Sequence, residues 1–96
     1  MNKVKKYLNG ITPINKEDWK LFSSKLELWE CAKKTIILNR GEVEDYLYFL
    51  DEGIIRYYIP KEDNDLTFGF GFENELASGY DSFVTRTPCK YQIQAL

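Results

Sequence analysis

From Thr35 to Leu96 the chain is a succession of short β-prone runs broken at close intervals by turn residues. Few architectures accept that layout: strands this short, with turns this regular, build an antiparallel roll or sandwich rather than a parallel sheet. Thr35–Leu38 and Tyr46–Leu50 are rich in β-branched and aromatic residues, with a turn at Asn39-Arg40-Gly41-Glu42 between them. Asp51-Glu52-Gly53 turns the chain into Ile54–Ile59, Pro60 ends that run, and Lys61–Asp65 reads as a hairpin loop. Leu66–Phe72 alternates strictly. Leu66, Phe68, Phe70 and Phe72 share one side and are expected to form the core face, with truncation of Phe70 costing about 3–5 kcal/mol. Glycine between them suggests bulges or close backbone approach. Tyr80–Val84 reads as one short helical turn, Thr87-Pro88 as a loop, and Tyr91–Leu96 as a last strand.

The first part of the chain has a different period. Val4, Tyr7, Leu8 and Ile11 recur at helical spacing, and Gly10 and Pro13 are expected to close that segment. Asn15 is a good N-cap for a second helix, with Asp18 three residues on and Trp19, Phe22 and Leu26 as its apolar stripe. Leu26–Ala32 alternates loosely and reads as strand-like. The fold class is therefore α+β, mainly β. A helical segment over 1–25 packs on an antiparallel β-roll (a jelly roll) over 26–96, the whole forming one domain. Apolar residues make up 44% of the 96 and aromatic residues 16%, which argues against disorder. No run approaches the roughly 20 apolar residues of a membrane span. The first residues, MNKVKKYLNGITP, lack the apolar core of a secretion signal, so a cytoplasmic location is expected.

Several chemistries are excluded by composition. The chain has no histidine, which removes Ser-His-Asp and Cys-His catalysis and imidazole-built metal sites. Its two cysteines, Cys31 and Cys89, form no C-x-x-C pair and are expected to be free thiols. No cofactor, metal or catalytic set is implied. Charge is lopsided. Residues 1–40 carry nine basic and four acidic residues (+5), and residues 41–96 carry four and eleven (−7). The basic residues lack aromatic interleaving and read as solvated helix faces rather than a nucleic-acid surface.

The series Gly41-Glu42-x3-Tyr46-Leu47-Tyr48-Phe49-Leu50-x2-Gly53-Ile54-Ile55-Arg56-Tyr57-Tyr58 resembles the cyclic nucleotide-binding domain, in particular the sensor domain of bacterial Crp/Fnr-type transcription regulators. Ile36-Ile37-Leu38 before it, and Phe72-Glu73-Asn74-Glu75-Leu76 leading into Ser78-Gly79-Tyr80-Asp81-Ser82-Phe83, fit the same pattern. The resemblance covers about residues 4–96. It implies a regulatory ligand-sensing domain, not an enzyme, that meets DNA only through a C-terminal domain absent from this chain. It also implies that the roll stops short at its C-terminus, before the dimer helix and helix-turn-helix. A different class, a small cupin-like enzyme or sugar-binding roll, shares the strand layout.

The family's phosphate cassette is a Gly-Glu-Leu turn followed by an Arg-Ser pair. Backbone N–H groups and the arginine neutralise the cyclic phosphate while the glutamate holds a ribose hydroxyl. Aligned without gaps, the first positions become Ser78, Gly79 and Tyr80, and the Arg-Ser positions become Cys89 and Lys90. Shifting the register restores neither lost group. Arg86 is the nearest arginine, and Lys90 is a point charge without the bidentate fork. The cassette reads as degenerate and the domain as not binding cAMP by the family's route. The candidate ligand-binding residues are Ser78, Gly79, Tyr80, Asp81, Arg86 and Lys90. The implied partners are a small-molecule effector and further copies of the chain, with no membrane. Tyr57, Tyr58 and Tyr91 are expected to line the roll, either at a pocket or packed into its rim.

Overall fold

The computed structural model describes residues 2–96 and divides into a helical unit ending at Glu30 and a β unit from Cys31 to Leu96. In the first, α1 spans Asn2–Ile11 and α2 spans Lys16–Ser23. Val4, Tyr7 and Leu8 are half-buried, while Ile11, the fourth residue of the expected stripe, is 66% exposed. Asn15 caps α2 as its type predicts: its side chain accepts the Asp18 N–H at 2.8 Å, satisfying one of the helix's orphan donors. The Trp19 and Phe22 rings lie 6.0 Å apart at a tilt of 32°, and Lys5 Nζ lies 5.7 Å from the Trp19 ring centroid. Leu26–Ala32 forms no strand. Past Leu26 it is exposed, without the buried face that would hold an alternating segment in a sheet.

The second unit holds β1 (Ile36–Leu38), β2 (Tyr48–Phe49), β3 (Ile55–Ile59), β4 (Leu66–Gly71), β5 (Leu76–Ala77), α3 (Tyr80–Thr85) and β6 (Gln92–Ala95). One sheet has the order β1-β6-β3-β4 and a smaller one pairs β2 with β5, every pairing antiparallel. Short helices with two antiparallel sheets are the jelly-roll arrangement that the strand pattern pointed to. The core contains Leu38, Ile55, Ala77, Cys89 and Ile93, with Ile37, Tyr48, Leu50, Tyr57 and Tyr91 packed against it, and so draws on both sheets. Cys31 is exposed and Cys89 buried, both as free thiols.

The side assigned to β4 is reversed. Leu66, Phe68, Phe70 and Phe72 are 47, 55, 52 and 51% exposed. Thr67 and Gly69 are half-buried, and Gly71 is buried. Alternation sets the period of a strand but not which side faces the core. Here the inner side is already filled. A Cβ on Gly71 would sit 2.9 Å from Ile55 Cγ1 and 3.2 Å from Leu50 Cδ1, so no larger residue fits without displacing them. A bulge adds to the difference. The β3–β4 register runs Tyr57↔Gly69 and then Tyr58↔Thr67, which leaves Phe68 as the extra residue. Phe68 consequently parts from its fellows. Its ring meets Tyr91 at 5.2 Å and Tyr57 at 6.2 Å, whereas Phe70 and Phe72 stay with each other at 6.4 Å.

β3 likewise divides the tyrosines. Tyr57 packs on the core with Tyr91, their rings edge to face at 5.9 Å. Tyr58 takes the other side, where the Arg56 guanidinium lies 3.8 Å over its ring and Gln92 donates to its hydroxyl at 2.7 Å. Arg56 also donates to Gln94, Thr67 and Asp65 at 2.8, 2.9 and 3.0 Å. Each of its three nitrogens donates, tying β3 to β6, to β4 and to the Asp65 carboxylate just before β4, a structural role.

Candidate functional site

The turn from β5 into α3 is the place the sequence marked for a ligand, and it is built around a group the sequence did not mark. Glu44, in the segment between β1 and β2, is 1% exposed. Its carboxylate accepts the Gly79 N–H at 3.1 Å and the Tyr48 hydroxyl at 3.0 Å. The Ser78 hydroxyl lies 3.2 Å from the same carboxylate and 2.7 Å from the Tyr46 carbonyl, so its single proton is shared between them. The Glu44 N–H donates to Ser82 Oγ at 2.9 Å, and Ser82 in turn donates to the Thr87 carbonyl. A buried charge is tolerated only when hydrogen-bonded in this way.

Gly79 is required by the same close packing. A Cβ there would lie 2.8 Å from Leu38 Cδ2, 3.2 Å from Cys89 Sγ and 3.4 Å from Glu44 Cβ. Ser78 and Gly79 are therefore buried, while Tyr80 and Asp81, which begin α3, are exposed. Arg86 ends α3 in the left-handed conformation at φ 60°. Its guanidinium donates to the Glu44 carbonyl at 2.7 Å and pairs with Asp45 at 2.6 Å. Lys90 is exposed, on the segment between α3 and β6. The structure thus gathers Ser78, Gly79 and Arg86 around Glu44, leaves Tyr80 and Asp81 at the rim, and does not bring Lys90 into the network.

The aromatic residues close the inner side. Burial, with the Tyr80 hydroxyl nearby, raises the pKa of Tyr57, and the backbone of Ser78 opposes that rise. Burial pushes Tyr91 up to about 12, opposed by the backbone of Tyr80. Burial and the adjacent Glu44 carboxylate raise Tyr48 well above the ordinary tyrosine range. All three hydroxyls stay neutral at physiological pH and serve as dipoles, not bases.

Glu44, Asp45, Tyr48 and Ser82 were not marked by sequence reasoning. Nothing local separates Glu44 from Glu42 or Glu52, since its role depends on Gly79, thirty-five residues away. Among the described residues no group of three or more Cys, Asp and Glu side chains is placed to hold a metal ion.

No protein-family model matches the chain, and no curated protein does. Solved structures do. Cyclic-AMP-bound PfPKA-R aligns over 99% of this chain with a TM-score of 0.80 at 21% identity. The catabolite activator protein of Thermus thermophilus aligns over 88% with a TM-score of 0.70 at 17% identity. The chain has the cyclic nucleotide-binding domain fold. The EAL enzyme Bd1971, in its cAMP-bound form, carries a similar fold over 69% of this chain, with a TM-score of 0.61 at 21% identity. The chain spans only 35, 40 and 18% of these three structures, so the fold recurs here as a portion of larger proteins. Among the described residues no helix is long and apolar enough to cross a membrane.

Proposed function

We propose that this cyclic nucleotide-binding fold is the effector-sensing domain of a Crp/Fnr-type transcription regulator, with a cassette that does not take a cyclic phosphate. One observation carries the reading. The donors at the β5–α3 turn are engaged within the protein: Gly79 N–H by Glu44, and the Arg86 guanidinium by Asp45 and the Glu44 carbonyl. An incoming phosphate would have to displace a buried carboxylate and break an ion pair, in a unit whose acidic residues outnumber its basic ones. The effector, a small molecule, would meet the turn at the exposed Tyr80 and Asp81, with the buried Ser78 and Gly79 holding the turn in place and Arg86, paired with Asp45, and Lys90 farther along the chain. The domain itself is not catalytic. It works in the cytoplasm, and DNA is contacted through a domain C-terminal to it. Association with further copies is supported by β4, an edge strand that exposes Phe70 beside Phe72.

The test is a melting scan with cAMP at millimolar concentration. A ligand at a hundred times its Kd stabilises a fold by about 2.7 kcal/mol, a shift easily seen. The expected result is no shift. A rise that Lys90→Ala abolishes would overturn the degenerate cassette. The regulator role is read separately from the coding sequence after Leu96, where an in-frame helix-turn-helix is expected and any other output domain would refute it.

A further inference from the structure

Glu44 is a charged group placed where folded domains rarely place one, and the cassette reading uses it only as the partner of the Gly79 N–H. It is nearly inaccessible, and its carboxylate is met by donors from two separate segments: the Tyr48 hydroxyl on β2, and the Gly79 N–H and shared Ser78 hydroxyl after β5. Such a set of convergent donors in a dry site is what an anion-binding protein presents to a free carboxylate or phosphate. Here the anion is covalently attached, through a side chain whose own backbone is held by Ser82 and Arg86.

We propose that the Glu44 carboxylate is a tethered ligand of the β5–α3 turn, filling an anion cradle formed by Tyr48, Ser78 and Gly79 and so excluding free anions from it. The inference deepens the effector-sensing reading by naming the effector class the turn can admit: an uncharged or cationic molecule. It follows that the turn is ordered without any effector, because its organising anion is always present. The charged groups facing the cradle agree with this. Asp45 adds a second carboxylate, and the Arg86 guanidinium is committed to it.

The experiment removes the tether. Glu44→Ala deletes the equivalent of one acetate and leaves the donors in place. The variant is expected to melt roughly 10 °C or more below the parent, since buried donors to a charged group are left unsatisfied. Added acetate should restore part of that loss with a saturating dose dependence. Acetamide, its neutral isostere, and chloride at equal ionic strength should not, and acetate should leave the parent unmoved. The proposal is overturned if Glu44→Ala melts like the parent, if acetamide rescues as well as acetate, or if acetate stabilises parent and variant equally. Should Glu44→Ala fail to fold at any acetate concentration, the parent is titrated with inorganic phosphate and followed at the Gly79 amide by NMR. An unmoved amide supports the tethered ligand, and a saturable shift overturns it. Failure of the effector reading, seen with cAMP, leaves the acetate result independent.

Discussion

β4 and β6 flank β3 on opposite sides and distribute their bulk in opposite ways. In β6, Ile93 and Ala95 are buried at 0 and 8% exposure, and Gln92 and Gln94 turn away to bond Tyr58 and Arg56. In β4, Gly71 is buried and Gly69 half-buried, while Phe70 and Phe72 stay exposed and only the bulged Phe68 reaches Tyr57 and Tyr91. The difference follows from position. β6 lies between β1 and β3, so its apolar side chains fill the middle of the core. β4 is an edge strand that approaches a side already occupied by Ile55 and Leu50, where backbone alone fits. Which side of an alternating strand is inside is decided by what stands opposite, and a glycine facing a bulky neighbour is the better guide than the bulk of the strand's own residues.

The largest expected effect breaks the β6 half of this comparison. Ile93 is completely buried and joins the central core cluster. Ile93→Ala leaves a cavity beneath both β1 and β3 and should cost about 3–5 kcal/mol, close to the whole stability of a small domain. Chemical denaturation of the variant measures it. A loss under about 1 kcal/mol would mean that β6 is not central.

The next effect separates two glycines of β4. Gly71→Ala places its Cβ against Ile55 and Leu50 at 2.9–3.2 Å and should destabilise by about 1–3 kcal/mol. Gly69→Ala meets only Tyr57 Cδ2, at 3.5 Å, an ordinary contact. That variant should melt at or slightly above the parent, because alanine restricts the unfolded chain. Equal effects at both positions would show that the inner face of β4 is not graded as described.

Much of the fold was legible. The two N-terminal helices, the Asn15 cap, the turns at Gly41 and Gly53, and the strands β1 to β4 and β6 are local signals that reappear in the structure, whereas β5 had no such signal and Leu26, expected on the stripe of α2, falls beyond that helix's end. What escaped was tertiary. The side of β4 depended on Ile55 and Leu50, the bulge at Phe68 on its register with Tyr57, and the absence of a strand at Leu26–Ala32 on having no sheet to join. The candidate site was less legible. Ser78 and Gly79 mark the β5–α3 turn, yet the hydrogen-bond network there centres on Glu44, whose burial no neighbouring residue announces.

The smallest effect tests the exposed half of the comparison. Phe70 lies opposite Arg56 in the register, is 52% exposed, and has Phe72 as its ring neighbour at 6.4 Å. About half of its surface is in water in the folded state, so truncation forfeits only part of the transfer free energy of an aromatic side chain and opens no enclosed cavity. Phe70→Ala should therefore cost about 1 kcal/mol or less, against the several expected were Phe70 in the core. Protein concentration sharpens the measurement. If β4 associates with a second copy, the parent's melting temperature rises with concentration and the variant's does not, since the surface that Phe70 supplies is then covered only in the assembly. A cost near 4 kcal/mol at every concentration would place Phe70 in the core of a single chain and reverse the orientation of β4.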